Sequence, residues 1–162
     1  MKFLISVLLL GLTLTACKPV EELDENNPED TIANQTDYTA CNTGGGSSKT
    51  IIGSWFYKQG IGNTQFTKTF TFARDYVRVT NDCVFDGAPV RATATSRIVL
   101  GINSVSYLDS ALGENALQRE GYKLVCQSKI NPDDLTYRFQ GPCLVIVNQA
   151  EGTALTLLPA TN

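Results

Sequence analysis

Gln65-Phe66-Thr67-Lys68-Thr69-Phe70-Thr71-Phe72 decides the fold. Phe66, Phe70 and Phe72 fall on one side of a two-residue period. Gln65, Thr67, Thr69 and Thr71 fall on the other. That period marks a strand with one buried face. After Ala73-Arg74-Asp75 the alternation resumes at Tyr76-Val77-Arg78-Val79, so the two segments read as an antiparallel hairpin. Lys68 is the one charge on the phenylalanine face. It reads first as a side chain that snorkels to water from a strand end, and second as a partner for an anionic head group.

The same pattern extends in both directions. Strands are predicted near 50–57, 65–73, 76–82, 89–100, 103–108, 122–128, 134–140, 143–148 and 153–158. Turn residues separate them, among them Asp86-Gly87, Asn131-Pro132-Asp133 and Gly141-Pro142. Short connections between β runs make antiparallel neighbours, and closure into a barrel hides the edges. The expected fold is all-β, an antiparallel up-and-down barrel of about eight to nine strands. Residues 109–121 break the rhythm. A short helix near 110–119, capped by Asp109 or Ser110 and ended by Gly121, is one reading; a surface excursion is the other. Alternation places Val77, Val79, Val90, Ala92, Ala94, Ile98, Leu100, Leu135, Tyr137, Phe139, Val145 and Val147 inside with the phenylalanines.

The chain holds no histidine, which removes the commonest general base and metal ligand. No Gly-rich phosphate loop or nucleophile elbow is present. Asp82, Asp86, Asp133 and Asp134 sit beside turn residues and read as turn carboxylates. We therefore expect no catalytic residues, no metal and no cofactor. Residues 49–162 are near neutral and carry no basic patch, so nucleic acid is not an expected partner. Residues 18–48 are acidic, poor in apolar residues and end in Gly44-Gly45-Gly46-Ser47-Ser48. They read as a solvated tether.

The opening, Met1-Lys2-Phe3 through Leu14-Thr15-Ala16-Cys17, has one cation, a 12-residue apolar run, small residues and a cysteine. The run is too short to span a bilayer and reads as a signal-peptide core. Leu14-Thr15-Ala16-Cys17 resembles the lipobox of bacterial lipoproteins. The resemblance implies cleavage before Cys17 and acylation of Cys17, which anchors the chain to a membrane. Lys18 stands where an aspartate would favour inner-membrane retention, so the resemblance implies the outer membrane. The expected organisation is a signal peptide over 1–16, a lipidated acidic tether over 17–48 and a barrel domain over 49–162.

Gly53-Ser54-Trp55 resembles the G-x-W opening of lipocalin-like barrels, in which the tryptophan packs across the closed base. Thr69-Phe70-Thr71-Phe72, Tyr76-Val77-Arg78-Val79 and Leu135-Thr136-Tyr137-Arg138-Phe139 continue the likeness as pattern. The chain is shorter than full lipocalins and lacks their T-D-Y segment. The resemblance implies a small apolar or amphipathic ligand, with Phe66, Phe70, Phe72, Tyr137 and Phe139 as the expected binding residues. The alternative is a protein-interaction module, an envelope adaptor or hydrolase inhibitor with a filled barrel, suggested by the small interior residues Ala92 and Ala94.

Cys41, Cys83, Cys126 and Cys143 are even in number in an exported chain and read as two disulfides. Their separations of 42, 43 and 17 residues do not suit a zinc site. Strand direction in a nine-strand meander puts Cys41 and Cys126 at one end, and Cys83 and Cys143 at the other. The expected pairs are therefore Cys41–Cys126 and Cys83–Cys143.

Overall fold

The computed structural model describes residues 36–42, 50–61 and 64–160. Cys17, the apolar run before it and most of the acidic stretch lie outside the described residues. Ten strands follow one another: β1 (Gly53–Ile61), β2 (Thr64–Phe72), β3 (Tyr76–Phe85), β4 (Ala88–Leu100), β5 (Ser104–Tyr107), β6 (Ala111–Arg119), β7 (Tyr122–Ile130), β8 (Asp133–Gln140), β9 (Cys143–Asn148) and β10 (Thr153–Pro159). Eight of them close an antiparallel barrel in the order β1-β10-β9-β8-β5-β4-β3-β2. Asp86 and Gly87 both take positive φ, as a two-residue hairpin turn between β3 and β4 requires.

The expected helix near 110–119 is a strand instead. Ala111–Arg119 pairs along its whole length with Tyr122–Ile130, and the two form a separate hairpin. Asp109 does not cap a helix because its carboxylate is engaged elsewhere. It accepts from Arg97 Nε and Nη2 at 2.9 and 2.8 Å and from the Arg97 backbone N–H at 3.1 Å. Gly121 ends no helix either; with φ +80° it makes the two-residue turn between Arg119 and Tyr122.

The β6–β7 hairpin is not part of the wall. It lies against the inward face of β3 and β4. Ser128 Oγ donates to the Val79 carbonyl oxygen at 2.7 Å, Asn115 Nδ2 donates to the Arg91 carbonyl oxygen at 3.1 Å, and Asn81 Nδ2 donates to the Gln127 carbonyl oxygen. Gly113 meets the backbone of Thr93 so closely that any Cβ would overlap it. Cys83, Phe85, Val90, Ala92 and Cys126 form a small core under the hairpin, with Phe66, Leu117 and Leu124 at its margin. Small side chains on β4 thus make room for a second layer of backbone rather than for a narrow barrel.

The main core lies at the opposite end of the barrel. Trp55 is 2 % exposed, donates from Nε1 to the Ile51 carbonyl oxygen at 2.8 Å, and sits 6.0 Å from the Phe139 ring. Phe70, Phe72, Val77, Val79, Ala94, Ile98, Leu135, Leu144, Ile146 and Leu157 complete it. On β9 the inward residues are Leu144 and Ile146, not Val145 and Val147 as expected. Val145 is buried too, on the other face with Cys143.

Both expected disulfide pairs are corrected. Cys41 bonds Cys143 and Cys83 bonds Cys126. The expectation assumed that the 122–128 strand belonged to the wall. Its removal leaves eight wall strands and reverses the direction assigned to β8 and β9. Cys143 therefore opens β9 at the same end as the start of β1, within reach of Cys41. Two disulfides fit an oxidising compartment outside the cytoplasm.

Candidate functional site: the open end of the barrel

β1 and β10 pair only at Trp55↔Pro159 and Phe56↔Leu158. β5 covers only Ile98–Leu100 of β4. The wall is therefore closed around Trp55 and splayed at the other end. There a cavity of about 490 Å³ opens to solvent. Phe70, Val79, Ile130, Leu135, Ile146 and Leu155 give it apolar walls. Each comes from a different strand: β2, β3, β7, β8, β9 and β10. The hairpin end at Ile130 closes the side next to β3.

Three ionisable or polar groups face this apolar space in a way that matters. Lys68 follows the inward period of β2 and lies in the cavity lining, its Nζ 5.5 Å from the Phe70 ring centroid. Burial lowers its pKa from the ordinary lysine value. Tyr107, at the end of β5, has a buried hydroxyl with no hydrogen-bond partner. Burial, then the nearby charge of Asp133, pushes its pKa up, so it remains a neutral O–H donor. Asp133 itself accepts from Asn148 Nδ2 at 2.6 Å and from the Asp134 backbone N–H at 2.9 Å.

The five aromatics expected to bind ligand do not converge. Phe70 lines the cavity. Phe72 is fully buried beside it in the main core. Tyr137 and Phe139 pack 6.0 Å from each other near Trp55, and Tyr137 Oη donates to the Ile102 carbonyl oxygen at 3.2 Å. Phe66 belongs to the small core beneath the hairpin. Tyr107 and Ile130 were missed. A four-residue strand carries little period, and Cys126-Gln127-Ser128-Lys129-Ile130 alternates but was read as wall. Among the described residues no cluster of three or more histidine, cysteine or acidic side chains is placed to hold a metal.

An N-terminal segment bonds to β1 beyond the stretch that pairs with β10. Thr36 Oγ1 donates to the Lys58 carbonyl oxygen at 3.1 Å and accepts from the Lys58 N–H, groups that β10 leaves free. Asn42 Oδ1 accepts from Gln140 Nε2 at 3.3 Å, next to the Cys41–Cys143 bond.

Comparison with protein-family models, with curated proteins and with solved structures finds no match to this chain.

Proposed function

We propose that this protein is a bacterial lipoprotein, anchored through Cys17 at the outer membrane, whose lipocalin-like barrel binds a small apolar or amphipathic molecule. One observation carries the binding reading: an apolar cavity of about 490 Å³, open to solvent, at the splayed end of a closed barrel. That volume lies within the range of pockets that enclose small ligands. The reading is of a binding protein and not of an enzyme. The apolar run before Cys17 and the lipobox-like Leu14-Thr15-Ala16-Cys17 support the anchor.

The alternative, a filled barrel that acts through its outer surface, draws on the β6–β7 hairpin, which occupies the face of β3 and β4 that a wider lumen would use. The space left beside the hairpin favours a ligand.

The test of binding is to incubate the purified full chain with a membrane lipid extract, re-isolate it and identify retained molecules by mass spectrometry. A defined amphiphile at close to one per chain is expected. A chain that retains nothing under native conditions overturns the reading. For the anchor, labelled palmitate is expected to enter the native chain and not a Cys17→Ala variant.

A further inference from the structure

Among the described residues of the cavity wall, Lys68 is a half-buried charge and Tyr107 a buried hydroxyl, and neither side chain has a hydrogen-bond or ion-pair partner. Among the described residues Lys68 has no ion pair; its contact is the Phe70 ring. A half-buried ammonium without a counter-ion is destabilised by lost hydration, and so is a buried hydroxyl with no acceptor. Both defects would be removed by one kind of atom, an anionic oxygen. We propose that the cavity takes a single-chain amphiphile headed by a carboxylate or phosphate, with Lys68 and Tyr107 as donors to the head group. This rests on the binding reading above and names its ligand class.

The surroundings agree with that assignment. Six apolar side chains from six strands give the chain of an amphiphile its wall. Asp133 and Glu151 also line the cavity, with Lys129 of opposite charge. Asp133 is held by Asn148 and by the Asp134 N–H, and among the described residues it makes no ion pair with Lys68. Burial, and then the charge of Asp133, keep the Tyr107 phenol protonated and able to donate. A positive charge on the wall of an apolar space discriminates by charge, because a neutral oxygen can accept a hydrogen bond from the ammonium but cannot compensate its charge.

The experiment uses the full chain carrying Cys17→Ala, so that no attached acyl chain competes, with both disulfides intact. Probes are hexadecanoate, hexadecyl phosphate and methyl hexadecanoate, followed by native mass spectrometry and calorimetry. At least one of the two anions is expected to bind about tenfold or more tighter than the ester; which one leads separates a fatty-acid head from a phosphate head. Lys68→Met is expected to erase the preference while the ester still binds, and Lys68→Arg to keep it. Tyr107→Phe is expected to weaken anion binding several-fold. Ester binding as tight as the better of the two anions, or a preference that survives Lys68→Met, overturns the head-group assignment and leaves the apolar-cavity reading standing. Failure of all three probes to bind overturns both.

Discussion

Cys83 on β3 is bonded to Cys126 on β7, with Cα atoms 5.9 Å apart, so the hairpin that narrows the lumen is covalently fixed to the wall it lies on. The bond closes a loop of 43 residues. Chain-entropy arguments put the stabilisation from such a loop at about 4 kcal/mol. The Cys83→Ala/Cys126→Ala double variant should lose about that much in denaturant unfolding. It should also gain dye-detected apolar surface, because Val90, Ala92 and Phe85 would lose their cover. An unchanged midpoint and unchanged dye binding would show that the hairpin docks without its lock.

Gly113→Ala tests the docking contact itself. The added methyl would overlap the Thr93 backbone, which cannot swing aside as a side chain would. We expect a loss of roughly 1–3 kcal/mol and faster hydrogen exchange at the β6 and β7 amides, with the Trp55 end of the barrel unaffected. Uniform loss of protection across the barrel would contradict the layered arrangement.

Asp109 gives a pH dependence with a definite sign. Hydrogen bonds from the Arg97 side chain and then its backbone N–H hold the carboxyl down at about 2. In the unfolded chain it titrates near the ordinary value of about 4. As pH falls between those values the unfolded state takes up the proton first, so stability present above about pH 4 is lost toward about pH 2. Asp109→Asn should flatten that part of the melting-temperature profile. A profile identical to the parent would show that the Arg97 fork contributes nothing.

Lys68→Met should raise the melting temperature at neutral pH. The ammonium is half-buried without a counter-ion, and its lowered pKa means that the folded state binds its proton less tightly than the unfolded state does. Stability therefore rises with pH where the folded form has released the proton and the unfolded form has not. Met fills similar volume and removes the charge. A drop in melting temperature would mean that the ammonium is supported by contacts other than the Phe70 ring.

The wall was readable where one face is polar. Arg91–Leu100 alternates cleanly, with Ala92, Ala94, Ser96 and Ile98 buried between exposed neighbours, and on Gln65–Phe72 the inward Phe70 and Phe72 are buried while Phe66 and Lys68 are partly so. Leu144-Val145-Ile146-Val147 is apolar on both faces, so the period carries no register. Alternation alone places 145 and 147 inward, whereas the inward residues are 144 and 146. Residues 111–119 were lost for a different reason. Ala111-Leu112-Gly113-Glu114-Asn115 is polar and glycine-bearing because it packs backbone to backbone on Thr93, and no local signal reports a contact with a residue so far back in the chain. That single omission carried through to both disulfide pairs. Of the cavity, Phe70, Val79 and Leu135 were foreseen as inward. Tyr107 and Ile130 depend on where the hairpin sits.

The Cys41–Cys143 bond joins the segment ahead of β1 directly to β9, across 102 residues of sequence. Tension applied between the two ends of the polypeptide passes through that bond and skips everything between its cysteines. The covalent path then runs from the segment ahead of Cys41 straight into β9 and β10, and the rest of the wall feels the load only through its pairing with those two strands. Pulling the two ends apart would therefore deform the mouth first, because β9 and β10 supply Ile146 and Leu155 to its wall.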